Sequence, residues 1–262
     1  KHLVQEADDI TLHRLSFFDL KRHAMGDPVD WNRDHASNKP APMIFAQAID
    51  YRDFRVTGDC KLVWEPNRHH QLVVLGRAYR ATGDVRYAKA VVEQMDSWLR
   101  QNPFGIGMNW RSPLEFGIRL INWVWAIDLI RDSGLFNGEF RERVLQSVYL
   151  HCWENARKYS RGSSANNHLV GEAAGVFIAS SYFQELPEAA RWRAASRAIL
   201  QREIHAQTYE DGCTREQALG YEFFVLQFYI FSGVIAAKAG EEFPREYWDK
   251  VQQMLEFLGA LA

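Results

Sequence analysis

The sequence predicts an all-α fold: an incomplete (α/α) toroid of antiparallel helix hairpins with an irregular N-terminal arm. Three observations predict it. From Ile44 onward apolar residues recur with the helical period of about 3.6 rather than the strand period of 2. The periodic stretches, roughly 15–22 residues each, alternate with connections of a few residues, the pattern of stacked helix hairpins. No fixed-period repeat marks the chain, so a ring is preferred over an open array of repeats. Roughly four hairpins can be read, so the ring is incomplete.

Residues 1–42 read as an arm that packs on the ring. Ile10 to Leu20 alternates like a short strand, and Gly26 to Pro42 is rich in the turn residues Pro, Asn and Asp. Residues 43–262 read as the helical domain. His69 to Arg80 puts Leu72, Leu75, Gly76 and Tyr79 on one face. Gly83 then stops that helix, and Asp84 caps the next, Val85 to Arg100. Ser112-Pro113-Leu114-Glu115 has the sequence of a capping box with Pro in the first turn. Its helix runs past Trp123 and Trp125 to Ile130. Further helices are expected over Asn137–Lys158, Asn166–Phe183, Pro187–Ala206, Glu216–Ala239 and from Pro244 to the end.

Composition narrows the function classes. The chain is 47% hydrophobic and 24% charged, and 31 basic residues nearly balance 33 acidic ones. No global basic field exists, which excludes a general nucleic-acid binder. No apolar run reads as the ~20 residues of a membrane span, and no signal peptide is visible. Cys60, Cys152 and Cys213 match no ligand spacing, and no His-x-x-x-His occurs, so neither metal nor cofactor is expected. Nine Trp, ten Tyr and sixteen Phe mostly fill cores, but Trp and Tyr also make platforms for sugar rings.

The chemistry concentrates at helix starts and loops, positions that a toroid gathers at one mouth. Asn166-Asn167-His168 places two amides and an imidazole directly before an apolar helical run. Amides hold carboxylates, and an imidazole moves a proton near neutral pH. Three other clusters are Asp59-x-Lys61-x-x-Trp64-Glu65-x-x-Arg68, Asn109-Trp110-x-Ser112-x-x-Glu115-x-x-x-Arg119, and Asp211-Gly212-x-x-x-Glu216-Gln217-x-x-Gly220-Tyr221. With Asn167-His168-Leu169-x-x-x-Glu172 they stand in order on an all-helical chain. From about Trp31 to its end, this chain resembles the helical domain of the heparinase II/III-like polysaccharide lyases, a group that includes alginate and oligo-alginate lyases.

That resemblance implies cleavage of a uronic-acid polymer by β-elimination, with heparan sulfate, alginate or a bacterial exopolysaccharide as substrate. It implies Asn167 as the carboxylate clamp. His168 is implied as base or second neutralising group, and Tyr221 as the acid, or as acid and base together. For Tyr221 to act as base, a cation must lower its pKa; Arg68, Arg111, Arg119 and Arg215 are the candidates. Substrate contacts are implied at Trp64, Asn67, Arg68, His69, Trp110, Arg111, Arg119, Asn166, Glu172, Arg215 and Glu216. The resemblance also implies a periplasmic or secreted protein, and a C-terminal β-sandwich, absent from this sequence, that packs on the toroid.

Other readings stay open on the residues alone. Asn166 also suits a helix cap. Arg68 and Arg119 equally suit ion pairs with Glu65 and Glu115. Trp64 and Trp110 suit core packing as well as sugar stacking. Glu65, Glu115, Glu172, Asp211 and Glu216 would supply the carboxylate pair of a glycoside hydrolase. A non-catalytic carbohydrate-binding helical module is the third reading.

Overall fold

A computed structural model describes residues Lys1–Leu261. Its longer helices, in chain order, are α1 (His2–Thr11), α2 (Phe54–Thr57), α3 (Cys60–Asn67), α4 (His70–Thr82), α5 (Val85–Gln101), α6 (Pro113–Ile130), α7 (Gly138–Lys158), α8 (Asn167–Tyr182), α9 (Ala189–Ala206), α10 (Leu219–Lys238) and α11 (Arg245–Leu261). Two small antiparallel ribbons lie near the N-terminus. Strand β1 (Arg14–Phe17) pairs with β2 (Leu20–Ala24), and β3 (Arg33–Asp34) pairs with β4 (Lys39–Pro40). The all-α hairpin class is therefore the one the sequence predicts.

The N-terminal segment departs from the expectation of an irregular arm. Residues 2–11 are helical, bury Ala7 and Ile10, and pack against α4 and α5. Ala7 and Ile10 lie three apart, which puts them on one helix face. The expected strand alternation survives only in β1, where Leu15 and Phe17 turn inward.

The chain divides into two compact units, Lys1–Leu150 and His151–Ala262. In the first, α4 packs against both α5 and α6. Gly83 ends α4 in the left-handed conformation, which glycine adopts without a Cβ clash. Asp84 caps α5 by accepting from the Arg86 backbone N–H at 3.0 Å, as expected. The capping box at Ser112 is incomplete. Pro113 occupies the first turn, but the Ser112 side chain makes no cap bond. The Glu115 carboxylate, which a capping box would fold back on Ser112, is drawn to Arg68 instead.

In the second unit α8 packs against α9 and α10, and α11 packs against α9 and α10. From Leu169 to Ser181 every residue of α8 is buried, so this helix is apolar nearly all round. Helix α10 starts at Leu219, three residues later than the expected Glu216. The intervening residues form a loop instead: Thr208 and Thr214 make an isolated antiparallel bridge, and Gln217 turns with φ +52°. Helix α10 is long and apolar enough to cross a membrane by length and composition, contrary to the expectation that no apolar run has that length. Half of that stretch is buried within the unit, Val225, Leu226, Phe228 and Tyr229 included, as for a core helix.

Candidate active site

The first unit gathers the predicted residues into a buried polar frame. Arg68 ends α3 and grips Glu115 with two prongs, Nε to Oε2 at 2.8 Å and Nη2 to Oε1 at 3.0 Å. Its Nη1 donates to Glu65 Oε2 at 2.8 Å. Burial opposes the charge on Arg68, but the two carboxylates outweigh it and raise its pKa. Burial in turn raises the Glu65 pKa despite Arg68. Beneath them Arg119 is 0% exposed. Its Nε donates to the Asn67 carbonyl at 2.8 Å, and the guanidinium lies 4.4 Å from the Trp98 ring centre. Asn67 donates to the carbonyls of Trp31 and Val63 and accepts from Trp98 Nε1 at 2.7 Å. His69, left-handed at φ +67°, accepts from Trp123 Nε1 at 2.7 Å and packs among Trp31, Trp98 and Trp123.

These positions place several expected substrate contacts in the interior. Asn67, His69 and Arg119 are interior residues that bond to backbone carbonyls and pack on or bond to indoles. Trp64 is buried against Val63, Ile49 and Met108, and its Nε1 donates to the Met108 carbonyl. Trp110 is buried between Trp98, Phe104 and Phe116, with Nε1 on the Asn102 carbonyl. Neither indole offers an open face to a sugar. Arg68 takes the ion-pair alternative with both carboxylates. Arg111 is half-buried, donates to the Ile49 carbonyl at 3.2 Å and stacks on Tyr51 at 4.8 Å.

The second unit holds the amide–imidazole pair. Asn166 is the N-cap of α8, its Oδ1 accepting from the His168 backbone N–H at 3.1 Å, so the cap reading of Asn166 holds. Asn167 is the first residue of the helix and is 4% exposed. Its Nδ2 donates to Glu216 Oε1 and Oε2 at 2.9 and 2.8 Å, and its backbone N–H donates to Oε1 at 3.0 Å. Gln207 holds the preceding turn, its Nε2 reaching the carbonyls of Ala165 and Asn166, both at 3.3 Å. Gln207 was not singled out in the sequence, where an isolated Gln carries no signal. His168 is half-buried beside Asn167.

Tyr221 lies in the first turn of α10 and is 47% exposed. Its neighbour Glu222 turns inward and accepts from the Thr214 N–H at 2.6 Å. That bond ties the start of α10 to the loop bearing Arg215 and Glu216. Arg215 lies over the Tyr209 ring at 5.4 Å. The cations expected to depress Tyr221 are thus engaged with other groups: Arg68 with carboxylates, Arg119 and Arg111 with carbonyls, Arg215 with Tyr209.

Glu172 is interior as well. It is 0% exposed, and its carboxylate accepts from Ser160 Oγ at 2.7 Å and Ser160 N–H at 2.8 Å. Burial pushes its pKa up to about 7 against those two bonds. These bonds anchor the segment leading into Asn166.

The hairpin fold and the Asn-His helix start together define an all-α domain of the (α/α) toroid class. The chain belongs to the Heparinase II/III N-terminus family, which it matches over residues 4–261. It is 30% identical over 236 residues to a heparin-sulfate lyase of Bacteroides stercoris, covering 81% of this chain and 35% of the relative. A heparin-sulfate lyase of Pedobacter heparinus is 27% identical over 204 residues, covering 75% and 30%. The chain therefore spans about a third of the length of the curated relatives it matches. Among solved structures, a heparinase III with methylated lysines superposes with TM-score 0.72 at 26% identity, covering 98% of this chain and 40% of that one. The heparan sulfate lyase HepC from Pedobacter heparinus has TM-score 0.73 at 23% identity, covering 98% and 38%, a likeness of fold.

Proposed function

We propose that this chain is the helical catalytic part of a polysaccharide lyase that cleaves a uronate-containing anionic chain by β-elimination. A heparin- or heparan-sulfate-like substrate ranks ahead of alginate or a bacterial exopolysaccharide, because the curated relatives are heparin-sulfate lyases. The observation that carries the reading is the Asn167 amide, fixed at the start of α8 beside His168.

The chemistry follows from the charges involved. A uronate C5–H is weakly acidic while its carboxylate bears a full negative charge. Asn167 holds the carboxyl group, and the positive end of α8 on which it stands stabilises the charge that develops there. His168 or Tyr221 takes the C5 proton, the C4–O bond breaks, and a C4=C5 double bond forms. The Tyr221 hydroxyl, exposed at the start of α10, gives its proton to the departing glycosidic oxygen.

Carboxylate placement favours elimination over hydrolysis. Hydrolysis needs two carboxyl groups facing the bond. Glu65 and Glu115 are bonded to Arg68, Glu172 to Ser160 and Glu216 to Asn167, which leaves exposed Asp211, bonded to the Cys213 N–H, without a second free carboxylate among the five. A C-terminal β-sandwich packed on the helical part, and a periplasmic or secreted location, belong to the same proposal. The test is ultraviolet absorbance of the unsaturated uronate when the complete protein is mixed with heparan sulfate, heparin and alginate. A rise with heparan sulfate is expected. Chain shortening without that absorbance would instead establish hydrolysis.

A further inference from the structure

We propose that Glu216 is a positioning residue: its carboxylate fixes which end of the Asn167 amide is presented to the substrate. The proposal rests on the lyase reading for its consequence in catalysis, and on geometry alone for the lock itself.

A side-chain amide has a donor end and an acceptor end, and either can face a neighbour. Glu216 decides between them. An ionised carboxylate only accepts, and both its oxygens lie within 2.9 Å of Nδ2. Rotating the amide by half a turn would put Oδ1 against those oxygens, and the repulsion forbids it. Oε1 also takes the Asn167 backbone N–H at 3.0 Å, so the same carboxylate fixes the residue's main chain and its side chain. Asn167 Oδ1 is therefore turned away from Glu216.

The direction matters for the reaction. A uronate carboxyl carrying a proton taken from solvent presents an O–H donor, as the acid and in its enediol form alike, and an amide carbonyl oxygen accepts it. Hydrogen bonds in a chain polarise one another. A carboxylate drawing on Nδ2–H moves electron density toward Oδ1 and makes it a better acceptor. The arrangement thus favours the neutral carboxyl, the form from which C5 loses its proton most readily. It does not favour the resting anion, so its effect falls on the chemical step more than on binding.

A direct substrate contact by Glu216 fits less well. Its oxygens are already taken by three bonds from Asn167, and a free carboxylate would repel an anionic polymer. The charge is tolerated because it sits at the N-terminus of α8, where backbone N–H groups favour an anion. Gln207 grips the carbonyls just before the helix, so the turn is held on both sides.

The test uses two variants and two readouts. In the proton–nitrogen spectrum of this chain, the Asn167 side-chain pair is assigned by its disappearance in Asn167→Asp. It is expected to be shifted and slow to exchange in the wild type, and to collapse to the exposed-amide position in Glu216→Ala. An unmoved pair overturns the lock. In the complete protein, Glu216→Ala is expected to lower kcat on heparan sulfate about 100-fold with KM within about threefold, the scale of a misplaced catalytic group. Glu216→Gln keeps one acceptor oxygen without the charge and is expected to recover part of the loss. A raised KM at unchanged kcat would make Glu216 a substrate contact and overturn the proposal. If the wild type cleaves no uronate polymer, the lyase reading fails, while the amide spectrum still decides the lock.

Discussion

Arg68 and Glu115 face each other across 47 positions of sequence as a two-pronged pair, with bonds of 2.8 and 3.0 Å. The Glu115 side chain is 3% exposed and that of Arg68 23%, so little water screens them. Removing one partner leaves the other charge buried and uncompensated. Glu115→Gln is expected to destabilise the chain by about 3 kcal/mol in denaturant unfolding. Asp249→Asn, which breaks a pair with the 90% exposed Arg245, is expected to cost less than about 1 kcal/mol. Equal costs would show that the buried pair has no special weight.

The assigned roles separate Asn167 from Tyr221 by more than activity. Asn167→Ala removes the group that holds the substrate carboxyl at the start of α8 and is expected to lower kcat about 100- to 1000-fold. Tyr221→Phe removes the proton donor, for a loss of about 100- to 10,000-fold. Tyr221 is half-exposed, so its variant is expected to melt within about a degree of the wild type. Initial rates of absorbance gain and thermal unfolding of the complete protein check both. Full activity in either variant would remove that residue from the mechanism.

Glu172 makes stability depend on pH. Its pKa is about 7 in the folded chain against an ordinary 4.5. An acid with a raised folded pKa favours the folded state below the unfolded value, and the advantage is lost as pH rises through the folded value. Stability is therefore expected to fall between about pH 4.5 and 7, by up to about 3 kcal/mol from this group. Unfolding midpoints across that range measure the slope. Glu172→Gln is expected to flatten it, and an identical slope in the variant would assign the pH dependence to other groups.

Two glycines predict opposite signs. A Cβ on Gly233 would lie 2.3 Å from Trp248 Cη2, so α10 and α11 could not keep their approach. Gly233→Ala is expected to cost about 1–3 kcal/mol by overpacking. A Cβ on Gly220 meets nothing within 4 Å, in the first turn of the same helix. Gly220→Ala is expected to stabilise by up to about 1 kcal/mol through helix propensity. Thermal melts of the two variants compare them directly.

What the sequence revealed was mostly local. The Asp84 cap, the Gly83 stop and the hairpins after Ile44 depend on residues within a turn of one another, and the structure has them. Asn166 as cap is local in the same sense. The misplaced readings concern partners far along the chain. Whether Arg119 touches a ligand or Trp98, and whether Trp110 meets a sugar or Phe116, depends on packing that no window of sequence contains. Helix α1 departs from the expected irregular arm because Ala7 and Ile10 bury against α4 and α5, partners that lie far along the chain. The late start of α10 follows from the Thr208–Thr214 bridge, whose two Thr residues announce nothing by themselves.

That bridge also fixes a length. Gln207 and Glu216 grip the start of α8 from opposite ends of one short loop, and the paired threonines close the loop between them. One residue added between those two side chains would slide Glu216 by roughly 3.5 Å, beyond the reach of its bonds to Asn167. Most surface loops absorb such insertions at little cost. Here the count of residues sets whether Glu216 reaches Asn167 at all, a constraint that substitution scanning at any single position would leave invisible.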